Sequence, residues 1–78
     1  MNRQELLEND EDFYYDAKNK KLYITTEFYD DIIRIINTSR CIRDMIKELQ
    51  YTYAIINERL VYKIIDSVRL GYKSLIIL

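Results

Sequence analysis

The chain has no proline and one glycine, Gly71, so almost no turn can rest on the residues that most readily interrupt helices and strands. With 49% of the residues hydrophobic, such a chain is expected to be ordered. Its 78 residues allow one domain. A domain of this size buries only a little over ~60% of the surface that its unfolded chain exposes, so it is marginal without further support. One cysteine, Cys41, cannot form an internal disulfide, and without histidine a structural zinc site is unavailable. Stability must then come from a dense apolar core, a homodimer, or both.

Charge is unevenly spread. Residues 1–31 carry nine acids and four bases, a net of −5, whereas residues 32–78 carry eight bases and four acids, a net of +4. The asymmetry points to an anionic partner, or to attraction between the two halves across the fold. No apolar run approaches the ~20 residues that span a bilayer. From the free cysteine and the lack of a signal-peptide pattern, a cytoplasmic protein is expected, or one of the host cytoplasm if it is viral.

Residues 1–12 read as a short acidic segment with a weak helical turn around Leu6 and Leu7 and a solvated acidic end. Residues 13–78 read as the domain. Phe13–Tyr15 and Leu22–Ile24 form two β-prone runs around a turn rich in Asp and Asn, which predicts a hairpin. Thr25 or Thr26 caps a helix over 26–37, with Phe28, Ile32, Ile35 and Ile36 at helical spacing. Ile42, Met45, Ile46 and Leu49 predict a second helix over 40–49, which Ser39 can cap. A turn is expected at Gln50–Tyr51. Thr52 then caps a third helix over 52–70, closed by Gly71, and YKSLIIL is a strand. The expected fold is α+β: a three-helix core with a small antiparallel sheet made from the hairpin and the C-terminal strand.

Residues 42–60, IRDMIKELQYTYAIINERL, resemble the helix-turn-helix family and more narrowly small winged-helix DNA-binding domains. Leu49 closes the first helix, Tyr51 stands at the apolar turn position and Thr52 at the hydroxyl cap. Ile56 is the buried branched residue, and Leu60 the next apolar one. The chain departs from the pattern at Gln50, where the family has glycine, and at Ile46, where it has a small residue. The Ile, Tyr, Glu, Lys and Arg content is similar to that of small proteins of hyperthermophilic archaea and their viruses. The resemblance implies a transcriptional regulator that binds double-stranded DNA.

On that register, 100° per residue from Ile56 puts Leu60, Ile64 and Ser67 on the core side. Thr52, Tyr53 and Asn57 are then the candidates for base or sugar contacts. Arg40, Arg43, Lys47 and Arg59 are the candidates for phosphate contacts, and Lys18, Lys20 and Lys21 form a possible wing. Each has a structural alternative. Tyr53 can be a partly buried core residue and Asn57 a solvated one. The cations can pair with Asp44, Glu48 and the acidic N-terminal segment. Val61, Ile65 and Val68 widen the apolar stripe and are assigned to a homodimer interface.

An enzyme is not expected. There is no histidine to act as a base near neutral pH, no glycine-rich phosphate loop, and Cys41 reads as a packed thiol. No cofactor or metal is implied. The alternative to DNA binding is a protein-interaction module on the same scaffold, such as a viral or plasmid inhibitor of a host factor. The acidic first third and the apolar outer face of the third helix motivate it.

Overall fold

In the computed structural model, which describes residues 2–9 and 11–78, the elements run α1 (Arg3–Glu8), β1 (Phe13–Asp16), β2 (Lys21–Ile24), α2 (Thr26–Thr38), α3 (Ile42–Tyr53), α4 (Glu58–Leu70) and β3 (Leu75–Ile77). The fold is α+β, with α2, α3 and α4 packed beside a three-stranded sheet of order β1-β2-β3. Asp10, part of the stretch expected to be acidic and solvated, lies outside the described residues.

The hairpin forms where the sequence predicts it, with Phe13 opposite Ile24 and Asp16 opposite Lys21. Its turn is held by the Asp16 carboxylate, which accepts from the Asn19 backbone N–H at 3.2 Å and from Asn19 Nδ2 at 2.8 Å. Lys20 closes the turn in the left-handed region at φ 54, a conformation that disfavours a residue with a β-carbon by about 1–2 kcal/mol. Side chains alternate across the strands. Leu22 and Ile24 are buried against the helices, while Tyr23 packs on Tyr14 on the other face.

The third strand corrects the expected antiparallel sheet. β3 pairs parallel to β2, with Leu22 beside Leu75 and Ile24 beside Ile77, so the sheet is mixed. A parallel neighbour needs a long crossover, which residues 25–74 supply as three helices.

Thr25 caps α2 as expected, its Oγ1 accepting from Phe28 N at 3.2 Å. The α3–α4 boundary differs from expectation. The helix expected over 40–49 starts at Ile42 and runs to Tyr53, through the expected turn at Gln50–Tyr51. Neither residue is a breaker, and Ile42, Ile46, Leu49 and Tyr53 continue one inward stripe. The chain reverses only at Ala54, left-handed at φ 53. Asn57, not Thr52, caps the next helix, its Oδ1 accepting from Arg59 N at 3.0 Å and Leu60 N at 3.3 Å. Gly71 closes α4 in the left-handed region at φ 64, as the sequence predicts.

This shift re-sorts α4. Ile56, placed in the core by the helix-turn-helix register, is 95% exposed, and Ile55 is buried in its stead. Val61, Ile65 and Val68, assigned to a dimer interface, are buried within the chain's own core beside Ile64. Their breadth is explained by two neighbours, α2 and α3, both packed on α4. Cys41 is exposed rather than packed, because it sits in extended backbone just before α3. The segment before the hairpin is tied to the domain: Leu6 is 0% exposed and Arg3 forms an ion pair with Glu27.

Opposite responses are expected at two isoleucines. Ile64→Ala should destabilise the fold by about 2–5 kcal/mol, and Ile56→Ala should change it by no more than about 0.5 kcal/mol, read by urea denaturation. A large loss at Ile56 would contradict the observed register.

Candidate nucleic-acid interface

Starting α4 at Glu58 defines its solvent face. At 100° per residue, Val61, Ile64, Ile65, Ser67 and Val68 fill roughly half the circumference, and all are buried. The exposed or half-buried remainder carries Glu58, Tyr62 and Arg69 on one side, Asp66 in the middle, and Arg59, Leu70, Lys63 and Leu60 on the other.

Each side of this face meets a basic neighbour. On the first side, Glu58 and Tyr62 line a groove with Arg43, Lys47 and Gln50 of α3. On the second, Arg59 and Lys63 line a groove with Tyr15 of β1. There Lys63 Nζ donates to Tyr15 Oη at 2.9 Å and lies 4.5 Å from the centre of that ring, which joins α4 to the hairpin. Lys20, on the hairpin turn, shares a cavity with the same Tyr15 and Lys63. Lys18 and Lys21 are exposed on and beside the turn. The solvent face of α4 is therefore flanked by cations from α3 on one side and from the hairpin on the other.

The acids of α3 are segregated from this arrangement. Gln50, Arg43 and Lys47 fall within a roughly 60° arc on the α4 side, whereas Asp44 and Glu48 lie roughly 60–100° beyond Lys47. Among the described residues, the ion pairs are Arg3–Glu27 and Arg34–Asp31, so none of the flanking cations is neutralised by a direct partner. Arg40 is exposed in the α2–α3 connection.

The three residues expected to contact bases are dispersed. Thr52 is exposed in the last turn of α3, away from the start of α4. Tyr53 packs edge-on against Phe28 with ring centroids 4.6 Å apart, and its hydroxyl donates to the Asp31 carboxylate. Asn57 spends its carbonyl oxygen on capping α4. Thr52 and Tyr53 thus lose the proposed positions because α3 extends past them. Tyr62 and Gln50, which line the α3–α4 groove, are not among the sequence-predicted candidates. The Asn57–Glu58 pair, a cap followed by an acid in the first turn, is the signal that could have set the right register.

The Asp31–Tyr53 contact ties α2 to the end of α3 and has an electrostatic signature. The Tyr53 hydroxyl, with help from Arg34, holds the Asp31 carboxyl below its ordinary range against the opposing effect of burial. Burial, followed by the Asp31 hydrogen bond, pushes the Tyr53 phenol up. Asp12 is raised, first by burial and then by the charges of Asp31 and Glu27.

No protein-family model, curated protein or solved structure matches the chain. Among the described residues, no helix is long and apolar enough to cross a membrane, and no group of three or more acids or cysteines is arranged to hold a metal ion.

The lowered Asp31 value makes a pH prediction. Its stabilisation is present above the ordinary value of 3.8 and is lost as pH falls from there through the lower folded-state value. Tyr53→Phe should cost about 1 kcal/mol at neutral pH and move the Asp31 titration, followed by carboxyl-carbon NMR, upward toward the ordinary value. An unmoved titration would show that the hydroxyl does not hold this carboxylate.

Proposed function

We propose that the chain is a DNA-binding regulator that lays the solvent face of α4 along the major groove of double-stranded DNA. The supporting observation is the pair of basic flanks: Arg43 and Lys47 of α3 on one side, Arg59, Lys63 and Lys20 on the other. A helix in the major groove has a phosphate backbone on each side, so a reading helix needs cations on both of its margins. The hairpin turn, with Lys18, Lys20 and Lys21, takes the part of a wing. Base recognition falls to the exposed side chains of α4 itself. Glu58 and Asp66, unfavourable beside phosphate, can accept from a cytosine amino group. Thr52 and Tyr53, in the last turn of α3, have no role in this contact. Dimerisation is not among its supports, because Val61, Ile65 and Val68 are used inside the core.

One observation favours the competing reading, a protein-interaction module. Tyr51 and Ile56 are 92% and 95% exposed and bracket the α3–α4 connection. Exposed apolar residues that face no neighbour of their own are a common mark of a protein contact.

An anisotropy titration with mixed-sequence duplex at low salt decides between them. The DNA reading expects binding at micromolar protein or better, with log affinity falling against log salt at a slope of about −3 to −5, the signature of several phosphate contacts. Arg43→Glu with Lys47→Glu, and separately Lys63→Glu, should each weaken binding by at least ~10-fold and flatten the slope. Tyr51→Ser with Ile56→Ser should leave it unchanged. No binding at micromolar protein, or binding indifferent to the charge reversals, overturns the proposal.

A further inference from the structure

The β1–β2 turn, the middle of α4 and the segment entering β3 border a half-open cavity of about 180 Å³. Its floor is Leu22. Every other residue that lines it carries a hydrogen-bond donor: Lys20 from the turn, Tyr15 from β1, Lys63 and Ser67 from α4, and Tyr72 and Ser74 from the segment before β3. None carries a carboxylate, in a chain with 13 acidic residues. We propose that this cavity is a binding site for a phosphate group.

Four features carry the assignment. Lys63 is fixed in place, its ammonium donating to Tyr15 Oη at 2.9 Å. That bond uses the phenol as an acceptor, so the Tyr15 hydrogen remains free for a ligand. Ser67 is 2% exposed at the edge of the buried arc of α4, between Ile64 and Lys63 around the helix, and it lines the cavity beside Lys63. Lys20 takes the left-handed backbone position that glycine or asparagine adopts with less strain, and it is the turn residue that lines the cavity.

The geometry also selects the ligand. The lining donors come from three separate segments, the hairpin, α4 and the stretch before β3. A planar carboxylate offers acceptors in a single plane, whereas a tetrahedral phosphate offers them in several directions. Two lysines match its charge, and lysine binds phosphate as a compact point charge.

The phosphate can come from a free anion or monoester, or from the backbone of a duplex, because Lys20 and Lys63 also belong to the face proposed for DNA. The test uses the full chain and inorganic phosphate, followed by amide NMR at matched ionic strength against chloride. Saturable shifts at Lys20, Ser67 and Ser74 are expected with phosphate alone. Lys20→Gln, Lys63→Gln and Ser67→Ala should each weaken the response by at least ~5-fold while the remaining spectrum stays folded; Lys20→Gln, on an exposed turn, keeps the test valid if a core variant fails to fold. Shifts identical with chloride, or undiminished in Lys20→Gln and Lys63→Gln, overturn the site. If phosphate displaces bound duplex beyond the effect of chloride, the natural occupant is a DNA phosphodiester. If phosphate binds without displacing duplex, or binds to a chain that has no affinity for duplex, the occupant is a free phosphate or phosphomonoester, and the site stands while the DNA reading falls.

Discussion

The parallel pairing of β2 with β3 is the contact on which the rest of the arrangement depends. β2 is hydrogen-bonded on both edges, and its Leu22 and Ile24 are almost fully buried. The Leu22 N–H donates to Ser74 O at 2.9 Å, the Leu78 N–H donates to Ile24 O at 2.8 Å, and Thr26 Oγ1 donates to Leu78 O at 2.8 Å. These bonds clamp the two ends of a crossover that contains α2, α3 and α4. The register that sets Leu75 beside Leu22 also brings the hairpin turn to the segment entering β3. Lys20 is thereby placed beside Lys63 and Ser67 of α4, and a basic turn near residue 20 becomes part of one surface with a helix forty residues later.

The second consequence is electrostatic. The whole chain is nearly neutral, at −1, so its net charge gives no reason to expect an anionic partner. What matters at a screening length of ~8 Å is the local arrangement. The helical period sends Arg43 and Lys47 toward α4 and Asp44 and Glu48 away from it. The ion pairs of the described residues use Arg3 and Arg34, on and beside α2, and leave the cations around α4 free of direct partners. Glu58 and Asp66 remain on the α4 face itself, exposed and half-buried, and give that face two negative charges between its basic flanks.

Much of the fold was legible where short-range rules decide. The hairpin followed from two β-prone runs around Asp16 and Asn19. The start of α2 followed from the Thr25 hydroxyl, and the end of α4 from Gly71, the one residue that takes a left-handed backbone without strain. The α3–α4 boundary was not legible, because two caps compete. Thr52 is an acceptable cap with no glycine before it, and Asn57 is another. Tertiary contacts settle the matter: continuing α3 to Tyr53 places that ring against Phe28 and its hydroxyl on Asp31, and neither partner is local in sequence. The five-residue shift of the cap, from Thr52 to Asn57, moved Thr52 and Tyr53 off the candidate face, exposed Ile56, and drew Val61, Ile65 and Val68 into the core. The direction of β3 was equally hidden, since a short apolar strand reads the same in either orientation. The places of Arg43 and Lys47 on α3, of Arg59 on α4 and of Lys18, Lys20 and Lys21 on and beside the hairpin turn do not depend on where the connection falls, whereas Arg40 lies before α3 in the α2–α3 connection.

The central claim is that the solvent face of α4 and its two basic flanks form a single duplex-binding surface. A map of the backbone amides perturbed by a short DNA duplex, recorded by NMR on the full chain, tests it most directly. The account predicts the largest changes in the first half of α4, from Glu58 to Asp66, with a second set at Arg43 and Lys47 and a third at the Lys18–Lys21 turn. Changes confined to Tyr51–Ile56, or to the Asp44 and Glu48 side of α3, would contradict it.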